Sequence, residues 1–274
     1  MISELNILQR FNSTDTGAPT ADDTVEGTIN VLKKVLVDGY DSTPPAGWSI
    51  LFESSDSLVL QTARADYCYK VYPATRFDSG LAMHGYDSMS DISSGVNRMP
   101  NISSDGSKYS GSSAPTMPKL SDDWVIFANE FCCYVITNAV CAFIGVLDTL
   151  GANPNCLSGG FHGWNNTRFD RGFPFGNSSY FNVYIRAIGG GNFVKATPNH
   201  YSYDVSRVKV AGESDLLFQC CFTINDTNAY FPGMFGAFLN SLNSDTVEGY
   251  KFYKYKRENS WNSDANGEVY LCHS

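Results

Sequence analysis

Apolar side chains at Val25, Ile29, Leu32, Val35 and Leu36 recur at spacings of three and four, the repeat that gathers them on one face of an α-helix. Thr24 or Asp22 can cap its start. Gly39 offers a left-handed stop, and Pro44-Pro45 prevents the helix from resuming. After this turn the pattern shortens to alternation or to continuous apolar runs. Trp48 to Glu53, Ser57 to Ala63 and Tyr67 to Tyr72 read as strands, the first two joined by Ser54-Ser55-Asp56, a hairpin-length connection. In Tyr67 to Tyr72 the tyrosines, Cys68 and Val71 split between the two faces, which predicts a strand covered on both sides. Trp124 to Phe143 is the most apolar segment and predicts two strands broken near Asn129-Glu130, at the centre of the core. Further strands are expected over Tyr180 to Ile188, Arg207 to Val210, Leu216 to Ile224, Tyr250 to Lys256 and Val269 to Cys272, with no internal repeat of fixed period.

Between these elements lie polar stretches. Residues 1–24 carry no periodic pattern and are expected to be an arm or linker, leaving 25–274 as a β-rich structural domain, with a division into two sub-lobes near 100–120 as a variant. Residues 87–119 form a long stretch rich in Ser and Gly in which only Ile92, Val96 and Ile102 serve as apolar anchors. A loop of that length inside a compact domain is usually functional or orders against a partner, so it is the first candidate for an intersubunit contact. A second candidate is the turn-rich segment with Phe161, Trp164, Phe169, Phe173 and Phe175. Such aromatics anchor a neighbouring subunit, staple their own loop to the core, or stack on sugars. The fold class that follows is mainly β, sandwich-like or of mixed antiparallel sheets, with one short helix near the N-terminus and long loops.

Composition narrows the function classes. The 274 residues include 14% aromatic but only 17% charged side chains, against about 25% charged in ordinary usage. That balance predicts an aromatic-rich core beneath a polar, weakly charged surface. The formal net charge of -9 repels phosphate backbones and anionic lipid surfaces, so neither nucleic acid nor membrane is an expected partner. No window reaches the roughly 18 apolar residues of a membrane span, and Met1 to Arg10 lack the apolar core of a secretory signal. A soluble protein made in a cytoplasm is the expectation.

The eight cysteines are then expected to be reduced and buried, with disulfides formed after release to an oxidising exterior as the alternative. Eight thiols allow about 105 pairings. Cys132-Cys133 and Cys220-Cys221 are adjacent pairs in apolar runs, so each is expected to place one sulfur in the core and one outward. No Cys-x-x-Cys pair exists, and His84, His162, His200 and His273 stand at no metal-ligand spacing from one another, so no metal or other cofactor is expected. Cys156, His162 and Asp170 formally supply a nucleophile, base and orienter for a cysteine hydrolase, but spacing alone does not bring them together, and an enzyme is not expected. Gly189-Gly190-Gly191-Asn192 lacks the downstream Gly-Lys-Ser/Thr of a phosphate loop. The sequons at Asn12, Asn101, Asn165, Asn177 and Asn225 are ordinary for a chain rich in Asn, Ser and Thr.

The order of the short motifs carries more. LVDGYDSTPPAGW at 36–48 is followed by the strand pair, by GYDSMSDISSGVNRMP at 85–100, by Trp124 to Tyr134 and by Phe231-Pro232-Gly233-Met234. This succession resembles a poorly characterised family of tailed-bacteriophage virion structural proteins, over roughly residues 25–255. The resemblance is one of pattern: Asp41 stands where the family has a second Gly after Tyr, and Met234 where it has Leu. It carries over no catalytic residue. It implies a structural component of a tailed phage particle, in the tail, neck or baseplate region, made in the bacterial host cytoplasm and resident in the virion. The partners implied are copies of itself and other virion proteins in a symmetric assembly. The alternatives are a capsid-decorating protein, or a carbohydrate-binding, host-recognition module that contacts a host surface glycan.

Overall fold

The computed structural model describes residues 7–63, 68–74, 80–98, 116–136 and 141–150, followed by segments 157–163, 181–187, 194–196, 207–209, 216–224, 227–237, 246–247, 250–255 and 268–274. The first half contributes β1 (Gln9–Asn12), α1 (Val25–Lys33), β2 (Ser49–Glu53), β3 (Leu58–Gln61), β4 (Cys68–Pro73), β5 (Gly80–Tyr86), β6 (Ser88–Met89), β7 (Gly95–Val96) and β8 (Thr116–Pro118). The second contributes β9 (Val125–Ala128), β10 (Cys132–Ile136), β11 (Cys141–Leu150), β12 (Leu157–Gly163), β13 (Phe181–Ala187), β14 (Val194–Ala196), β15 (Arg207–Lys209), β16 (Leu216–Ile224), β17 (Thr227–Ala237), β18 (Thr246–Val247), β19 (Tyr250–Tyr255) and β20 (Glu268–His273). Among the described residues the sheets are antiparallel and there is a single short helix, so the class is mainly β.

The helix forms where its periodicity places it. Thr24 is the N-cap, its hydroxyl accepting from the Gly27 N–H at 2.9 Å, and Thr28, Ile29, Val31 and Leu32 are buried. Past Lys33 the helix widens, and the Gly39 N–H donates to the Lys34 carbonyl five residues back at 2.8 Å. Gly39 takes φ 76°, a conformation that costs a β-carbon-bearing residue dearly. The Pro-Pro turn then brings the chain back so that Ala46 and Trp48 donate to the Val35 and Leu36 carbonyls, both at 2.9 Å. The carbonyls freed by the helix end are thereby satisfied.

Three layers result. A five-stranded sheet in the order β2-β3-β4-β5-β8 and α1 cover one face of β1-β9-β10-β11, which belong to a 13-stranded sheet. Their shared core gathers Leu32, Leu36, Trp48, Leu60, Tyr69, Val71, Met83 and Leu120 with Phe11, Ile126, Cys133, Val135 and Ile144. Tyr69 crosses between the sheets, its hydroxyl donating to the Gly145 carbonyl at 2.6 Å, and the Trp48 indole donates to the Asn129 carbonyl at 2.7 Å. The opposite face of β9–β11 is covered as well. β11 runs from β10 and β12 into pairing with β17, so the sheet carries its own strands onto the other side. There Phe127 meets Tyr253 at 5.0 Å between ring centroids, Tyr134 meets Phe143 at 4.9 Å, and Phe143 meets Phe231 edge-on at 5.1 Å. The Tyr134 hydroxyl donates to the Pro232 carbonyl at 2.7 Å.

This double coverage explains the apolar run over 124–143, which forms β9 and β10 with the break at Asn129-Glu130 and continues into β11. It also corrects one expectation. Cys132 and Cys133 do face opposite ways, but neither sulfur is outward: both residues are fully buried, because each face of β10 has a layer on it. Cys68, Cys132, Cys133 and Cys272 are buried, while Cys220 and Cys221 lie in β16 at its break in register against β17.

Two further corrections concern polar stretches. Residues 7–24, expected within an arm, are built into the fold: β1 pairs with β9, and Leu8, Phe11 and Ala21 are fully buried. Three apolar side chains with long-range partners suffice to anchor a segment that has no periodicity. Residues 87–119, expected as one structureless loop, contain the β6–β7 hairpin and β8, which extends the five-stranded sheet beside β5.

Candidate assembly surface

The motif at 85–96 builds a surface hairpin. Gly85 and Tyr86 end β5, Asp87 turns the chain off the sheet, and Ser88 and Met89 begin the hairpin, with Ser88 opposite Val96 and Met89 opposite Gly95. The hairpin closes on itself. The Asp87 N–H donates to the Val96 carbonyl at 3.0 Å, the Ser90 N–H to the Ser94 carbonyl at 3.0 Å, and the Asn97 amide to the Asp87 carboxylate at 2.6 Å. Asp91 accepts from the Ser93 N–H at 2.7 Å, and these turn hydrogen bonds hold its carboxyl below the usual range.

Its base is Tyr86, only 8% exposed. Gly95 lies flat on the Tyr86 ring, where a β-carbon would overlap the ring carbons. Burial raises the Tyr86 hydroxyl above its ordinary pKa, and the Arg98 guanidinium, hydrogen-bonded to it, works the other way. Behind Tyr86 stands a ladder on the same face of the sheet. His84 is buried, stacked on Tyr72 at 5.7 Å and edge-on to Tyr86 at 6.4 Å, while the Lys70 ammonium lies 5.1 Å from the Tyr72 centroid. Desolvation pushes Tyr72 up to about 12 and Lys70 downward. The hairpin therefore rests on an ordered aromatic base.

Its exposed surface is mostly Ser, Asp and Asn, with one apolar side chain among them. Val96 is 55% exposed, the most exposed large hydrophobic side chain among the described residues, and Ile92 at the tip is half-buried. Of the interface candidates read from sequence, Ile92 and Val96 therefore come together on one hairpin. Phe161 stands in β12 at the register position between Phe143 of β11 and Val183 of β13. Ile102, Trp164, Phe169, Phe173 and Phe175 lie outside the described residues. The residues that sequence reading missed are Tyr86, Gly95 and Arg98. Their signal was the GYDSM and SSGVNR spacing, whose physical meaning, a tyrosine base under a glycine, needs the hairpin register to be seen.

The chemistry available elsewhere is limited. Burial places the Cys132 thiol well above its ordinary pKa and pushes Cys272 up to about 12, the reverse of nucleophile activation. Cys156 and Asp170 lie outside the described residues, and His162 is in β12 opposite Asn182. Among the described residues no group of three His, Cys, Asp or Glu side chains is placed to hold a metal ion, and no helix is long and apolar enough to cross a membrane. No protein-family model and no curated protein matches the chain.

Proposed function

We propose that the chain is a structural component of a tailed bacteriophage particle, assembling through protein–protein contacts in the tail, neck or baseplate region. The observation that carries the reading is the role of the motif residues. Three motifs of the resemblance sit at junctions of the architecture: Gly39 and Trp48 at the helix-to-sheet return, Gly85 to Met89 at the step from sheet to hairpin, and Phe231 to Met234 where β17 accepts from Tyr134 and passes from pairing with β11 to pairing with β20. Residues at such junctions fix the shape of the fold and the position of its surface hairpin, which is what an assembly subunit needs. The hairpin with exposed Val96 supplies a contact whose burial in repeated symmetric copies adds up.

The test is mass spectrometry of density-purified phage particles that carry the gene. Peptides of this chain at several copies per particle support the reading. Their absence from intact particles, with the chain found only in the lysate, overturns it. Particles that contain the chain but lose adsorption, and not assembly, when it is deleted assign it to host recognition instead.

A further inference from the structure

In a chain of net charge -9, contact between copies needs a place where the local charge is reversed. One exists where the two ends of the chain meet. The Leu8 N–H donates to the Cys272 carbonyl at 3.1 Å and the Ser274 N–H to the Leu8 carbonyl at 3.0 Å, which sets β1 beside β20. Lys251 of β19 and His273 of β20 are directly opposed in register. The Arg10 guanidinium lies 5.4 Å from the Tyr253 centroid, and the rings of Tyr253 and His273 both pack on Phe127, at 5.0 and 5.6 Å. Two exposed cations from two strands, Arg10 of β1 and Lys251 of β19, thus flank one aromatic floor that includes the buried His273 ring. Arg10 and Lys251 are exposed, and the ion pairs among the described residues, Lys33 with Glu53 and Lys34 with Asp38, involve neither. Both cations act to lower the His273 pKa, as burial does more strongly, while its hydrogen bond to the Ser274 oxygen works against them.

Opposite charge lies beyond the far end of β1, where the Ser13 N–H donates to the Trp124 carbonyl. The loops carrying Asp22 and Asp23 and carrying Asp122 and Asp123 are tied together by the Asp23 N–H, which donates to the Leu120 carbonyl at 3.0 Å. All four carboxylates are exposed, with the half-buried Lys119 as the nearby cation in sequence. We propose that Arg10 and Lys251, flanking the buried His273 ring, form a docking site for the acidic loops of a second copy of this chain, those with Asp22, Asp23, Asp122 and Asp123. Arg10 is held on Tyr253 with its planar donor edge preorganised for a carboxylate, which reduces the ordering cost of docking. This inference rests on the assembly reading and names the pairing it would use.

The experiment is light scattering of the purified full chain across NaCl concentrations, with two variants checked for folding by circular dichroism. The wild-type mass is expected to fall toward that of a monomer between about 0.05 and 0.5 M NaCl, as screening shortens the reach of exposed charges. Arg10→Glu/Lys251→Glu should associate at least about a hundredfold more weakly, because like charges then face each other. Asp22→Lys/Asp23→Lys should do the same. Mixing the two variants restores the association, since each supplies what the other has lost. A wild-type chain that is monomeric at low salt, an association unaffected by either variant, or two dissociated variants that do not recombine would each overturn the proposal. Retention on heparin that Lys251→Glu abolishes without any change in mass would overturn it too, and assign the patch to a polyanion. Detection of the chain in purified particles is independent of all these outcomes, so either reading can fail alone.

Discussion

Residues 12–24 and 87–98 are alike in composition, both polar, turn-rich and furnished with Asp, Ser and Asn, yet they end in opposite situations. The first is fastened by distant partners. The Ser13 N–H donates to the Trp124 carbonyl at 3.1 Å, the Trp124 indole to the Pro19 carbonyl at 3.3 Å, and the Tyr40 hydroxyl to the Asp15 carboxylate at 2.8 Å, with Phe11 and Ala21 fully buried at its edges. The second is tied by bonds between its own residues and stands on Tyr86, leaving Val96 in solvent. Polar composition therefore does not decide whether a segment is framework or surface. The decision lies in where its few apolar side chains and backbone donors find partners.

The widest separation between the two regions should appear on truncation. Phe11→Ala removes a fully buried ring packed 6.2 Å from Tyr40, and should cost about 3–5 kcal/mol, read as a lower midpoint in urea unfolding. A shift no larger than that of a surface substitution would mean that β1 is not part of the cooperative unit. Thr28→Val is expected to cost about 1–3 kcal/mol. The Thr28 hydroxyl accepts from the Leu120 N–H at 2.8 Å and donates to the Thr24 carbonyl at 2.8 Å, so its loss leaves a buried donor unpaired and loosens α1 from the approach to β9. Thr28→Ser, which keeps the hydroxyl, should recover most of that loss.

The next contrast is electrostatic and concerns one tyrosine in each region. Burial raises the pKa of both, but at Tyr40 the Asp15 carboxylate adds to burial, whereas at Tyr86 Arg98 opposes it. A raised folded-state pKa contributes stability that is complete below the unfolded value of 10.0 and is lost as pH rises through the folded value. Stability should therefore decline above about pH 10. In the still-folded protein Tyr86 should ionise before Tyr40, which residue-resolved tyrosine ring resonances in an alkaline titration can establish. Reversal of that order would place Arg98 elsewhere than beside Tyr86.

How far these differences were legible in sequence depends on range. α1 and its stop at Gly39 were readable because the repeat and the cap are local, and β9, β10, β13, β15, β16, β19 and β20 because their apolar runs are long or alternate. β1 was missed because Phe11 alone carries its burial, β12 because Leu-Ser-Gly-Gly-Phe-His-Gly holds too few apolar residues to show a period, and β17 because Pro232 and Gly233 read as a break. Pro232 stands in the stretch of β17 left unpaired with β16, so the strand tolerates it. Ile92 and Val96 stand out in sequence as apolar residues in a polar stretch, and the hairpin leaves Val96 exposed and Ile92 half-buried. Arg10, Lys251 and His273 were not readable as a group, because residues from opposite ends of the chain meet only once the sheet register is known.

The smallest effect on stability is the most informative about assembly. Val96→Ser removes an apolar side chain that is already 55% exposed, so the urea midpoint should stay within about 0.5 kcal/mol of wild type. Its partner Ser88 across the hairpin and the hydrogen bond from Asp87 to the Val96 carbonyl do not depend on the side chain, so the hairpin itself remains. If the hairpin is an assembly contact, this silent change should still reduce incorporation of the chain into particles, because the apolar area it would bury on docking is gone. A variant that is equally stable and equally incorporated removes Val96 from the interface. A variant that is destabilised instead shows that the hairpin tip is covered by its own chain, and the difference between the two polar segments collapses.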